Sequence, residues 1–369
     1  MNLAAAQVAL TARWLAEGRR FAIAALVDAD GSSPFEPGVF LLLDPQGNVE
    51  GSITGGCVES DVVREGLDLL AGGEPAKLLR YGVSDDLAQS VGLMCGGSVR
   101  VLLHEPRGRD RDTLAAAFEA IADKEPVAIA TLLEGDHAGA KLALAGDRLF
   151  GGLGGSELLD RNVAADLHGA LTRAGARVRH YGPTGETLGD AIAVQVQSFL
   201  PPPRMLIVGA IDYSAALSPL ASTVGFEVTI VDARPTFIAS ERFARAAEVV
   251  DGWPQEVIPR YELGPRDVLL VFSHDTKFDE PALLAAVRTE VGYIGALGSR
   301  RTAADRRRRL AALGLEAAEL DRIHAPCGLD VGAASPEEVA ISILAEIIAS
   351  RNHRPGGPLA TGTGPIRND

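Results

Sequence analysis

The hydrophobic pattern is clearest in the last third of the chain, where short apolar runs end on glycine, serine or an acid. Met205 to Ala210 reads as a buried parallel strand. Ala215 to Val224 has helical spacing, and Phe226 to Asp232 is a second strand ending on an acid. Asp267 to Ser273 and Val291 to Leu297 follow as strands, with Glu280 to Val287 helical between them. Ser335-Pro336-Glu337-Glu338 is a capping box with proline at the first helical position, opening a helix to about Ser350. This alternation predicts a Rossmann-like, doubly wound parallel sheet over 203–351. The Gly-, Pro- and Thr-rich stretch 352–369 reads as a disordered tail.

Residues 1–202 are less regular and form an N-terminal α/β region with a degenerate internal repeat, one copy over 1–106 and one over 110–202. Phe21 to Leu26 matches Val127 to Leu132, and Gly55-Gly56-Cys57 matches Gly154-Gly155-Ser156, each before a helical stretch. Tyr81-Gly82 matches Tyr181-Gly182, and Val99 to Pro106 resembles Val194 to Pro201. The offsets between landmarks fall from 106 to 99, 100 and 95, as they do when a second copy sheds loop residues. Chance similarity between two α/β segments is the competing account. Only the first copy keeps cysteines, so chemistry is expected there and scaffolding in the second.

A chain of 369 residues holds two or three domains of ordinary size. The formal net charge of −14 argues against nucleic acid or anionic membrane as a partner. No apolar run is long enough to span a bilayer, so membrane insertion is not expected. No charged start precedes a long apolar core, as a secretory signal requires. Three cysteines, Cys57, Cys95 and Cys327, cannot make a fully paired disulfide framework. A soluble protein of a reducing cytoplasm is the expectation.

Two of those thiols sit beside paired glycines. Gly55-Gly56-Cys57 places one at the start of a helix, where the partial positive charge favours thiolate. Cys95-Gly96-Gly97 places another before a glycine pair, whose backbone can approach a ligand closely. The alternative is that each is a small buried hydrophobe. The two lie 38 residues apart with no Cys-x-x-Cys pair, so a structural zinc site is a weaker option than soft thiolate contacts to copper(I) or molybdenum.

Four motifs follow the predicted strands of the last third. Gly209-Ala210-Ile211-Asp212 stands where a dinucleotide fold carries its glycine fingerprint, but Ile211 obstructs the approach to a pyrophosphate. Asp232 remains a candidate for a ribose hydroxyl. Ser273-His274-Asp275 supplies an acid, base or ligand at His274, or a loop histidine bonded to Asp275 or Asp279. Gly298-Ser299-Arg300-Arg301 combines amides, a hydroxyl and two guanidinium groups as a phosphate cradle. Arg306 to Arg309, further along, reads as a solvated face. Pro326-Cys327-Gly328 brings the third thiol toward the same sheet edge.

Together these segments resemble the xanthine dehydrogenase accessory (XdhC/CoxI) family. The matching stretches are GSSPFEPG (31–38), GSITGGCVES (51–60), CGG (95–97), FEVTIVDARPTFIASERF (226–243), SHD (273–275), YIGALGSRR (293–301) and PCGLDVGAASPEEVAISILAEIIA (326–349). The family's C-terminal domain usually opens with Gly-Ala-Gly-His where this chain has Gly209-Ala210-Ile211-Asp212. The resemblance implies a chaperone that carries the molybdopterin cofactor as cargo. It also implies two partners, a cysteine desulfurase that sulfurates the cofactor and the apo molybdenum hydroxylase that receives it; a homodimer is a further possibility. The residue reading fits. The cradle at Ser299 to Arg301 suits the cargo's phosphate, while Cys57 and Cys95 suit its molybdenum end as soft ligands or persulfide carriers. The rival readings are an NAD(P)-linked oxidoreductase, against which Ile211 argues, and a cofactor-free interaction protein.

Overall fold

The computed structural model describes residues 3–30, 36–56, 58–82, 97–244 and 246–362. The chain divides into two compact units that meet in sequence at Pro201 and Pro202.

In the first unit α1 (Leu3–Ala16) precedes β1 (Ala22–Asp30), β2 (Phe40–Leu43), β3 (Val49–Gly51), α2 (Glu59–Leu70), β4 (Ala76–Tyr81) and β5 (Ser98–His104). The series then recurs as α3 (Gly108–Ala122), β6 (Val127–Leu132), β7 (Lys141–Ala145), β8 (Arg148–Gly152), α4 (Glu157–Ala170), β9 (Gly175–Tyr181) and β10 (Ile192–Phe199). The two antiparallel sheets have one topology, β3-β2-β1-β5-β4 and β8-β7-β6-β10-β9. Tyr81 and Tyr181 end equivalent strands, and each hydroxyl donates to an aspartate on the preceding helix, Asp61 at 2.9 Å and Asp166 at 2.5 Å.

Alternation along the central strands explains the layering. Ala22, Ala24 and Leu26 face α2, whereas Phe21, Ile23 and Ala25 enter a core shared with α1, α3, Val127 and Ile129. Ala128, Ala130 and Leu132 face α4 in the second copy. Amide side chains cross between the sheets, buried Gln195 Nε2 donating to the Leu26 carbonyl at 2.9 Å and half-buried Gln197 Nε2 to that of Gly38 at 2.8 Å.

The second unit holds β11 (Arg204–Val208), α5 (Asp212–Thr223), β12 (Glu227–Asp232), α6 (Pro235–Ile238), β13 (Glu248–Asp251), α7 (Pro254–Val257), β14 (Val268–Val271) and α8 (Thr276–Ala286). It continues through β15 (Tyr293–Ala296), α9 (Arg300–Ala312), α10 (Ala317–Asp321), β16 (Ile323–His324) and α11 (Pro336–Arg351). All strand pairs are parallel, in the order β13-β12-β11-β14-β15-β16. This is the Rossmann-like arrangement, with the order reversing between β11 and β14. The capping box at Ser335 and Glu338 opens α11 as its sequence requires. The Arg354 amide donates to the Ala349 carbonyl at 2.8 Å, and a methyl group added at Gly356 would meet the Leu329 side chain at 2.9 Å. Among the described residues no helix is long and apolar enough to cross a membrane.

The first unit buries two bases. Lys141 is 2% exposed and its Nζ donates to Thr131 Oγ1 at 3.0 Å. Burial pulls its pKa from 10.5 down to about 7, with Asp110 opposing the shift. Nearby His104 is equally buried, and burial, with Lys141 adding to it, holds its pKa well below the ordinary value. Between pH 7 and 10.5 the unfolded lysine holds a proton that the folded one has lost, so folding is favoured as pH rises through that window. The slope is about 1.4 kcal/mol per pH unit at most. Urea unfolding at pH 7, 8.5 and 10 is expected to show the native protein gaining stability relative to Lys141→Met as pH rises. Cys327, whose folded thiol is pushed up to about 12, opposes the rise above pH 9 in both proteins alike. Equal slopes in the two proteins would refute the assignment.

Candidate functional site

In a doubly wound sheet, ligands bind beyond the carboxyl ends of the strands, where the order reverses. Here the loops after β11 and β14 touch. Gly209 has φ +114°, and a methyl group added to it would meet the Ser273 amide nitrogen at 3.0 Å. Glycine is required at this position on both counts. The Phe272 amide extends the ladder to the Val208 carbonyl at 2.8 Å, and the Leu297 amide reaches the Val271 carbonyl at 2.9 Å. Thus the glycine motif, Ser273-His274-Asp275 and Gly298-Ser299-Arg300 stand side by side.

A buried ion pair holds two of these loops. Arg306 Nη2 donates to Asp279 Oδ2 at 2.8 Å, and Arg306 also reaches the Leu297 carbonyl at 3.1 Å. Arg306 is 2% exposed, so the solvated-face reading fails for this residue. One apolar face of α9 carries Leu310 inward, and Arg306, one turn earlier, follows it into the interior. Arg307, Arg308 and Arg309 pair at the surface with Asp321, Asp305 and Glu280.

The predicted residues take different roles. Asp275 caps α8 by accepting from the Lys277 amide at 3.1 Å, and His274 before it is exposed. Ser299 caps α9, its Oγ accepting from the Thr302 amide at 3.1 Å; Arg300 is exposed and meets Asp330 at 3.2 Å, while Arg301 is exposed. Asp232 is fully engaged. It accepts from the Ala210 amide at 2.8 Å, and from Arg234 Nε and Nη2 at 2.8 and 2.6 Å. Burial opposes its charge, but Arg234 and the Ala210 amide outweigh burial and hold the carboxyl below its usual range. The start of α5, the pyrophosphate position of dinucleotide folds, carries Asp212 paired with Arg242 at 2.5 Å.

Cys327 lies in the core, where a methyl group at Gly295 would meet its Cβ at 3.2 Å. Burial, with Glu346 adding to it, pushes the thiol up to about 12 and keeps it protonated. Gly328 has φ +112° and its amide donates to the Glu346 carboxylate. Cys57, Cys95 and Gly96 lie outside the described residues; Gly97 immediately precedes β5. No group of three His, Cys, Asp or Glu side chains suited to a metal occurs among the described residues.

Sequence reasoning passed over Glu59. Its carboxylate accepts from the amides of Ile53, Thr54, Gly55, Gly56 and Val58 at 2.8 to 3.2 Å, and from the hydroxyls of Ser52 and Thr54. Burial works against its charge, but these bonds outweigh burial and hold the pKa at about 2. Gly55 and Gly56, at φ +79° and +113°, let the chain curl round it. Both neighbours of position 57 are therefore fixed by one side chain. A glutamate two residues after a glycine-flanked cysteine was the available signal. In the second copy Ser156 instead caps α4, accepting from the Leu159 amide at 3.1 Å.

Comparison with known proteins agrees with this architecture. Residues 205–347 match the XdhC Rossmann domain, and residues 14–82 match the XdhC and CoxI family. This chain belongs to the XdhC/CoxI family. Relatives of this XdhC-type chain include a probable subunit of xanthine dehydrogenase from Bacillus subtilis, 26% identical over 89% of this chain and 92% of that protein. The molybdenum cofactor insertion chaperone PaoD of Escherichia coli is 25% identical over 92% of this chain and 86% of its own length. A crystal structure described as a xanthine dehydrogenase from Bacillus halodurans shares the fold, with a TM-score of 0.73, 24% identity and 98% coverage of both chains.

The ion pair generates a stability prediction. Removing one partner from a buried pair typically costs about 3–5 kcal/mol, whereas replacing both with apolar groups can be nearly neutral. Asp279→Asn and Arg306→Met should each lower stability by that order in denaturant unfolding, and Asp279→Leu with Arg306→Met should recover most of the loss. Single variants within about 1 kcal/mol of the native protein would show that the pair is not the clamp.

Proposed function

We propose that this XdhC-family chain carries the molybdopterin cofactor as cargo and inserts it into an apo molybdenum hydroxylase of the xanthine dehydrogenase type. On this reading a cysteine desulfurase sulfurates the cofactor while the chain holds it. The observation that carries the reading is kinship along nearly the whole chain with a named cofactor insertion chaperone. Both matched regions are found in this one polypeptide.

The chemistry of the edge supports it. Arg300, Arg301 and the amide end of α9 offer charge-assisted donors to a phosphate, while the Ser299 hydroxyl is committed to the cap. His274, exposed on the neighbouring loop, supplies a proton donor or acceptor beside them. Cys57 and Cys95 serve the molybdenum and sulfur end, since buried Cys327 stays a protonated thiol. The oxidoreductase alternative loses its ribose acceptor, because Asp232 already binds Arg234 and the Ala210 amide.

Two comparisons test this. A charge-assisted hydrogen bond contributes about 1.5–3 kcal/mol, so Arg300→Ala should weaken cofactor binding by roughly ten- to a hundredfold. Cys57→Ser should abolish molybdenum retention or sulfur transfer at unchanged fold. Ser156→Ala should cost its helix cap and its bond to the Thr184 carbonyl, about 1–2 kcal/mol of stability, and leave cargo handling intact. Unchanged cofactor affinity in both Arg300→Ala and Arg301→Ala would refute the cradle. Client maturation at the native rate by Cys57→Ser would refute the thiol assignment.

A further inference from the structure

At the same carboxyl edge, three loops bring aromatic and cationic groups together. Phe278, in the first turn of α8, stacks on Trp253, which follows β13, with ring centroids 4.9 Å apart and planes 23° apart. Arg234, after β12, lies over Phe237 at 4.1 Å and faces Phe278 at 5.8 Å. Lys277 Nζ sits 5.2 Å from the Phe278 ring and 3.2 Å from Asp275.

The core does not need this arrangement. Trp253 and Phe237 remain 39% and 40% exposed, while Phe278 beneath them is 7% exposed. A large aromatic left in water beside another forfeits burial that would stabilise the fold. The Asp232 carboxylate grips Nε and Nη2 of Arg234, which sets the guanidinium plane and leaves Nη1 without a partner among the described residues. A rigid aromatic surface rimmed by a fixed guanidinium and an ammonium suits one class of ligand. That ligand is a flat fused heterocycle whose edge carries carbonyl or anionic acceptors.

The geometry points to Trp253 and Phe237 as the stacking platform for the pterin ring of the cargo, with Arg234 Nη1 and Lys277 as donors to its edge. This inference rests on the cargo reading above and adds the subsite for the organic part of the cofactor. The platform's Phe278 and Lys277 follow β14, the strand beside β15, which leads to the Ser299 loop. Pterin and phosphate subsites thus lie on one edge of one domain.

The test uses the full chain with Trp14→Phe, which leaves Trp253 as the single indole. The probe is 6-carboxypterin, a pterin with an anionic substituent, and AMP is the purine comparator. Addition of 6-carboxypterin should shift the Trp253 indole N–H resonance. By equilibrium dialysis, Trp253→Ala should bind the pterin roughly five- to a hundredfold more weakly, the usual loss on removing a stacking aromatic. Trp253→Phe should retain most of the affinity. Phe237→Ala, at an exposed ring, repeats the test should Trp253→Ala fail to fold. The inference is overturned if millimolar pterin leaves the indole signal unmoved, if folded Trp253→Ala and Phe237→Ala bind it as the native protein does, or if AMP binds as tightly as the pterin. Loading of the native protein with intact cofactor, released anaerobically from a molybdenum hydroxylase, separates the two claims. Uptake without any effect of the platform variants removes the platform alone, whereas no uptake removes the cargo reading itself.

Discussion

The buried pair of Arg306 and Asp279 is the contact on which the carboxyl edge of the sheet in the second unit depends. A guanidinium and a carboxylate are costly to desolvate, and a well-packed apolar pair of the same size would serve stability as well or better. What the ions add is geometry. Arg306 reaches the first turn of α8 and the end of β15 at once, so the Ser273 and Gly298 loops cannot move independently. The exposed groups on those loops, His274, Arg300 and Arg301, are held by an anchor that does not itself meet solvent. A second ionic anchor, Asp232 with Arg234, ties the β12 loop to the glycine turn after β11. It occupies the acid that a dinucleotide would have used.

The first unit shows how one topology supports two local chemistries. Both copies place a glycine turn before a helix, but the helix start is secured differently. In the first copy an internal carboxylate gathers the amides of the turn, and in the second a serine hydroxyl caps the helix directly. In the first copy Val58 opens the helix without a side-chain cap. In the second copy the Ser156 hydroxyl is part of the helix start and also donates to the Thr184 carbonyl.

The four inner strands of the second unit were legible in the sequence because they are buried on both faces and read as continuous apolar runs. The edge strands β13 and β16, which are partly or largely exposed, were not. The capping box announced α11 plainly. The sequence pattern also suggested the repeat of the first unit, through matched apolar strands and tyrosines. Other features were hidden. Arg306 sits in a run of four arginines, and only the placement of α9 against α8 distinguishes the buried one from its solvated neighbours. Asp232 looked available because nothing local reveals that Arg234, two residues on, folds back over it. Glu59 went unremarked because five of its seven donors are backbone amides, which a sequence does not display. The platform of Trp253, Phe237 and Phe278 joins residues from three separate loops, so no linear motif carries it.

The central claim is that this chain holds the molybdopterin cofactor in its own right. Native mass spectrometry of the full-length protein, purified without oxygen from cells that make the cofactor, measures this directly. The account predicts a population heavier than the apo chain by the mass of the intact cofactor. Metal analysis of the same sample should give molybdenum in proportion. A homogeneous apo mass without molybdenum, from a preparation that still activates its client hydroxylase, would contradict it.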